Sequence, residues 1–183
     1  MIQYKHMNKF LQESEQTKVT PQIKKLAEEF KEQDSLKSIL NTLFWIDENI
    51  KMNRERTDVF RERTADQILS DKYSTGCTDY AILYIAISRA MGIPTKYVEL
   101  LSIRWLESDE EKIQGHVIAE VLVDDKRLFV DPTHGSISTK PTSGMVIYDK
   151  GLDSWNIGIK NRENLGAKFM KFREKWKKKQ SGA

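Results

Sequence analysis

One segment limits the choice of fold more than any other. Tyr80-Ala81-Ile82-Leu83-Tyr84-Ile85-Ala86-Ile87 is apolar on nearly every side of a helix. A helix without a polar face has to be enclosed by other elements, so it reads as the buried centre of the domain. The sequence predicts that it starts at Cys77 and runs to about Met91, with Gly92 placed to end it and Pro94 to prevent its continuation. Amphipathic helices precede it. Thr20-Pro21 starts one over about 21–32, and Asp34-Ser35 starts another over about 35–52; a short third helix covers 64–69, capped by Thr64 or Asp66. Residues 1–19 read as a loose arm or frayed helix, and the charged run from Lys51 to Arg63 as a connector.

After Pro94 the periodicity changes to that of strands. Thr95 to Leu101 alternates, and Ser102 to Leu106 reads as its continuation. Gly115 to Val123 and Arg127 to Asp131 form a hairpin around Asp124-Asp125, and Pro132 ends it because proline cannot donate to a ladder. Residues 134–154 are loop-rich, with one short strand at Met145 to Tyr148. From Asn161, Leu165, Phe169, Phe172 and Trp176 recur at helical spacing among basic residues. Helices first and an antiparallel sheet afterwards define the α+β class. The expected organisation is an N-terminal arm and helix over 1–33, a core domain over 34–160, and a basic amphipathic helix and tail over 161–183.

Composition narrows the function. The chain has 183 residues and one cysteine, which excludes an internal disulfide and a cysteine-rich zinc site. Residues 168–179 carry seven Lys/Arg and one acid, so this segment holds +6 in a chain of net charge +3 and the remainder is −3. The basic character therefore belongs to the tail. It suits an acidic partner or a solvated helix face and does not make the body a nucleic-acid binder. No stretch approaches the roughly 20 apolar residues of a membrane span, and no signal-peptide pattern opens the chain. The expected setting is cytoplasmic.

The cysteine stands at the junction Ser74-Thr75-Gly76-Cys77-Thr78-Asp79, where a turn feeds the central helix. Unpaired N–H groups and the helix dipole favour a thiolate at such a position. A lone cysteine is more often a small buried hydrophobe, so partners decide the matter. Hairpin arithmetic supplies two. With a two-residue loop at Asp124-Asp125, facing residues sum to 249, which places Asp131 opposite Ile118 and His116 opposite Thr133. His116 and Asp131 are then diagonal neighbours on one face, roughly 7–8 Å apart at Cα. A three-residue loop would put them on opposite faces unless a bulge restored register. If they meet, Asp131 orients His116, and His116 takes the proton of Cys77.

These residues also carry a family resemblance. Gly76-Cys77-Thr78-Asp79-Tyr80-Ala81, Arg89 to Val98, Gly115-His116 with Val121, and Phe129-Val130-Asp131-Pro132-Thr133 together resemble the transglutaminase-like superfamily over about residues 64–134. The resemblance implies a papain-like fold, with Cys77 as nucleophile, His116 as base and Asp131 as orienting acid. It implies thiol-dependent acyl transfer on a peptide or amide substrate, a peptide or protein being the expected partner, with hydrolysis favoured over transamidation and no metal or organic cofactor. The alternative is a catalytically inactive interaction module of the same fold. Two positions depart from the pattern. Ile118 stands where many members have an aromatic residue, and the second oxyanion donor has only Gln67, Tyr73 and Trp105 as candidates. Asp109-Glu110-Glu111 and Asp124-Asp125 read as solvated turns, since they lack calcium-loop spacing. His6 and His134 are set aside as arm and loop histidines, Asp79 as a helix-capping acid, and Trp155 as a packing residue at the cleft.

Overall fold

A computed structural model describes residues 8–182. His6 and the first residues of the arm lie outside the described residues. The helices are α1 (Pro21–Phe30), α2 (Ser35–Asn49), α3 (Ala65–Asp71), α4 (Cys77–Ala90), α5 (Ile103–Glu107) and α6 (Arg162–Gln180). A short parallel pair joins β1 (Lys51–Met52) to β2 (Tyr73–Ser74). The main sheet contains β3 (Thr95–Ser102), β4 (Gly115–Val123), β5 (Lys126–Asp131), β6 (Ser136–Ser138) and β7 (Met145–Gly151), in the order β6-β5-β4-β3-β7, antiparallel throughout.

The central helix is α4. Residues Thr78 through Arg89 are all buried. Helices α1, α2 and α3 cover it on one side, and strands β3 and β4 cover it on the other. Ala81, Ile82, Leu83, Tyr84, Ile85, Ala86 and Ile87 have no exposed surface. Each large member contributes roughly 1.5–3 kcal/mol of burial, and together they tie helices and sheet into one core. Sheet residues Tyr97, Leu101, Val117, Ala119, Val121 and Val130 complete that core. At the end of α4, Gly92 adopts φ +87°, a left-handed conformation that a side chain would strain. The cap of α3 is reciprocal. Thr64 accepts from the Gln67 N–H while the Gln67 side chain accepts from the Thr64 N–H.

Three segments differ from the sequence reading. The chain does not continue straight after Ser102. The Ser102 side chain accepts from the Trp105 N–H and caps α5, which buries Trp105 and Leu106. The loop-rich stretch contains two strands. One of them, β7, is the strand expected at Met145 to Tyr148, continued through the charged Asp149-Lys150 to Gly151 as an edge strand against β3. The arm is held rather than loose. Gln16 and Thr17 are fully buried, the Gln16 amide donates to the carbonyls of Arg61 and Arg63, and Arg89 donates to Phe10 O and Thr17 Oγ1.

The basic helix α6 is partly internal as well. Arg173 is buried, lies 4.6 Å from the Trp105 ring centre, and donates to the carbonyls of Ser108 and Glu110. Lys177 pairs with Asp109 at 2.7 Å.

Candidate active site

Cys77 is the first residue of α4, and the turn before it is tied down. Asp79 accepts from the Thr75 N–H at 2.7 Å, from the Thr75 hydroxyl at 2.9 Å, and from Arg63 at 2.5 Å. Asp79 is fully buried, and the Arg63 guanidinium balances its charge. Asp79 caps no helix N–H; it ties Thr75, ahead of the thiol-bearing turn, to Arg63. Cys77 itself is half-buried.

The hairpin has the register with facing residues summing to 249, as in Val123 opposite Lys126 and Ala119 opposite Val130. Asp124 and Asp125 both have positive φ, 46° and 61°, which is the requirement of a two-residue turn whose twist matches the strands. His116, the second residue of β4, and Asp131, the last of β5, are hydrogen-bonded at 2.6 Å between Nε2 and Oδ2. The other carboxylate oxygen accepts from the Thr133 N–H at 3.0 Å. With Nε2 engaged, Nδ1 is the nitrogen left for Cys77, which is near enough to raise the His116 pKa.

The electrostatics follow from these contacts. Burial alone would lower the His116 pKa. Hydrogen bonds with Asp131 and Cys77, and the negative charge on both, outweigh burial and carry it up to about 10. Burial likewise pushes the Asp131 carboxyl upward, but hydrogen bonds and charge from His116 and His134 leave it below its ordinary value. The arrangement favours a protonated His116 beside an ionised Asp131.

His134 is nearer than its reading as a loop histidine implies. Its Nδ1 lies 2.9 Å from the same Asp131 oxygen, and its ring centre is 5.3 Å from that of His116. Among the described residues, His116, Asp131 and His134 form a group of three ligand-bearing side chains whose ligating atoms lie within 4.8 Å of one another. Direct hydrogen bonds account for that closeness.

A cavity of about 290 Å³ opens beside Cys77. Gly76, Thr78 and Gly115 border it, Phe60 and Ile113 form apolar wall, and α6 closes it with Leu165 and Phe169. A Cβ on Gly115 would sit 3.0 Å from the Leu100 carbonyl oxygen, so a larger residue could not take that place without a shift. None of the three oxyanion candidates borders this cavity. The Gln67 side chain is used in the α3 cap, the Trp105 indole donates to Glu110 O, and Tyr73 stacks against Arg63. Trp155 is also absent from the wall; its indole donates to Arg61 O at 2.7 Å.

Two charged residues that border the cavity were not singled out from sequence. Arg61 and Glu99 form a buried two-point ion pair, with N–O distances of 2.7 and 2.8 Å. Tyr97 donates to Glu99 at 2.5 Å. The available signal was Glu99 itself, a single charge inside the apolar run Tyr97-Val98-Glu99-Leu100-Leu101.

A helix-borne thiol beside a histidine–aspartate pair on an antiparallel sheet defines the papain-like class of thiol folds. A family model described as the transglutaminase-like superfamily matches residues 24–132. The chain belongs to that superfamily. Among solved structures, it is similar to a candidate cysteine protease from Cytophaga hutchinsonii, with 22% identity and a TM-score of 0.65. That match covers 84% of this chain and 50% of the other, so the chain spans half the length of that protein. It is also similar to a candidate protease from Parabacteroides distasonis, with 19% identity and a TM-score of 0.47, over 75% of this chain and 30% of that one. No curated protein matches the chain in sequence. Among the described residues, no helix is long and apolar enough to cross a membrane.

Proposed function

We propose that the protein is an enzyme of thiol-dependent acyl transfer acting on a peptide or amide substrate, with Cys77 as nucleophile, His116 as general base and acid, and Asp131 as the orienting acid. The observation that carries this reading is His116 itself, bonded to Asp131 through one nitrogen and near enough to Cys77 for that group to raise its pKa. In the proposed reaction His116 holds the proton that Cys77 gives up, and the sulfur attacks the substrate carbonyl carbon. The Cys77 N–H, unpaired at the start of α4, donates to the oxygen that becomes negative. As the intermediate collapses, the C–N bond breaks and His116 returns its proton to the departing amine. Water then attacks the thioester, giving up a proton to His116, and the acid and the free thiol are released. The likeness to a candidate cysteine protease supports water over an amine as the second acceptor.

The test is Cys77 alkylation by iodoacetamide near neutral pH, in the wild type and in His116→Ala. The triad predicts rapid labelling of the wild type and at least about tenfold slower labelling of the variant. Equal and slow labelling of both proteins would reject the enzyme and favour an interaction module. A peptide and amine library followed by mass spectrometry, with Cys77→Ala as control, then separates cleavage from cross-linking.

A further inference from the structure

Helix α6 presents one face to the cavity that holds Cys77. Asn161 caps the helix by accepting from the Asn164 N–H at 2.9 Å, which makes Arg162 its first residue. Arg162, Leu165 and Phe169 recur at three- and four-residue spacing and so share that face. All three border the cavity. Leu165 and Phe169 are buried there, whereas Arg162 is exposed, at the rim. Its guanidinium lies 5.3 Å from the centre of the Phe60 ring, which is itself part of the wall. Among the described residues no carboxylate or carbonyl engages that guanidinium. The neighbouring arginines are all engaged, Arg61 with Glu99 and Arg63 with Asp71 and Asp79. Arg61 and Glu99 cancel one another in the wall, so Arg162 is the uncompensated cation among the residues that border the cavity.

We propose that Arg162 is a specificity-determining residue, which receives the carboxylate of an acidic side chain on the substrate residue next to the bond that is broken. This deepens the reading of Cys77 as nucleophile and rests on it. Phe60, Ile113, Leu165 and Phe169 make the wall largely apolar. The methylene groups of a glutamate fit against such a wall while its carboxylate stays at the wet rim with the guanidinium. The carboxylate of a chain terminus would instead bring the peptide amide beside it against apolar side chains, where that amide has no partner. At about 290 Å³ the cavity lies at the lower end of the roughly 300–1,000 Å³ range of small-molecule pockets, which suits one side chain. A guanidinium takes a carboxylate through two parallel N–H bonds, and apolar walls concentrate its field. A basic side chain in the same place meets like charge and is disfavoured.

The experiment compares two reagents that alkylate the same thiol and differ in charge. Iodoacetate is an anion and iodoacetamide is neutral, and in both the sulfur displaces iodide. The ratio of their rates therefore reports the charge around Cys77 rather than its nucleophilicity. Arg162→Glu is expected to lower the iodoacetate-to-iodoacetamide ratio by about tenfold or more, and Arg162→Lys to retain most of it. The fold tolerates the change, since Arg162 is exposed without an ion pair among the described residues, and an acid suits the first turn of a helix. A purely structural role for Arg162 would slow both reagents together and leave the ratio where it was, which overturns the assignment and leaves Cys77 in place. A wild type that both reagents label slowly overturns the nucleophile and this inference together. Protection of Cys77 from iodoacetamide then identifies the carboxylate. N-acetylglutamate α-amide carries only a side-chain acid, N-acetylglutamine only a terminal acid, and N-acetylglutamine amide neither. The first is expected to protect at a concentration about fivefold lower than the other two, and to lose that advantage in Arg162→Glu. Stronger protection by N-acetylglutamine, or no difference among the three, overturns the acidic side chain as the group received.

Discussion

Replacing Asp131 by Asn keeps the shape of the His116 partner and removes its charge. In the folded protein the His116 pKa is carried from 6.5 to about 10 against the opposing effect of burial. At 1.36 kcal/mol per pH unit, that interval is a ceiling of about 5 kcal/mol, shared between Asp131 and Cys77. The sign follows from linkage. A pKa raised by folding gives stabilisation that is complete below the unfolded value of 6.5, and it drains away as pH rises through about 10. The Asp131→Asn variant is expected to titrate His116 more than about one pH unit lower and to lose on the order of 2 kcal/mol at neutral pH. Its stability should therefore vary less between pH 6.5 and 10 than that of the wild type. The assay is an NMR titration of imidazole resonances. The chain has three histidines, so single-histidine variants assign the signals. Urea unfolding at pH 6 and pH 9 provides the second readout. Identical titration of His116 in both proteins, or titration near 6.5 in the wild type, would refute the account of an imidazolium stabilised by Asp131.

Glu99→Gln leaves the Arg61 guanidinium buried against a neutral amide and is expected to cost about 3–5 kcal/mol in urea unfolding. A loss below about 1 kcal/mol would mean that the pair is solvated. Ile85→Ala, at the centre of α4 where no surface is exposed, is expected to cost about 2–5 kcal/mol with an unchanged denaturant slope. A cost below about 1 kcal/mol would show that α4 is not enclosed on all sides.

The parts of the site that could be read from sequence depend on local repetition. The all-apolar stretch from Tyr80 to Ile87 could only be central. The alternation through Gly115 to Val123, with a two-residue turn rich in Asp, set a register that brought His116 beside Asp131. Each of those inferences uses residues within a turn or a hairpin of one another. The missed features depend on distant partners. Arg61 and Arg63 lie in a run of charges that looks solvated, and both are buried because Glu99 and Asp79 come to them from elsewhere in the chain. Ser102 reads equally well as a strand residue or a cap until Trp105 has somewhere to pack. The edge strand β7 was legible only over Met145 to Tyr148, because its continuation through Asp149 and Lys150 is charged, and Lys150 finds its partner Glu120 on β4.

The same contrast bears on which residues set substrate choice. The family match ends at residue 132 and contains Cys77, His116, Asp131, Arg61 and Glu99. The wall formed by Leu165 and Phe169, and the exposed Arg162 at the cavity, come from α6, beyond the match. The turn that carries Cys77 is held to Arg63 by the buried ion pair with Asp79, and Arg61 is held to β3 by the one with Glu99. The shape of the cavity depends on a helix anchored by contacts such as Arg173 against Ser108 and Glu110. On the proposed function, substitutions in α6 are expected to change the shape of the cavity without removing a partner from His116 or Asp131. Substitutions at Arg61, Glu99 or Asp79 cannot be confined in that way, because each removes a partner from a buried charge.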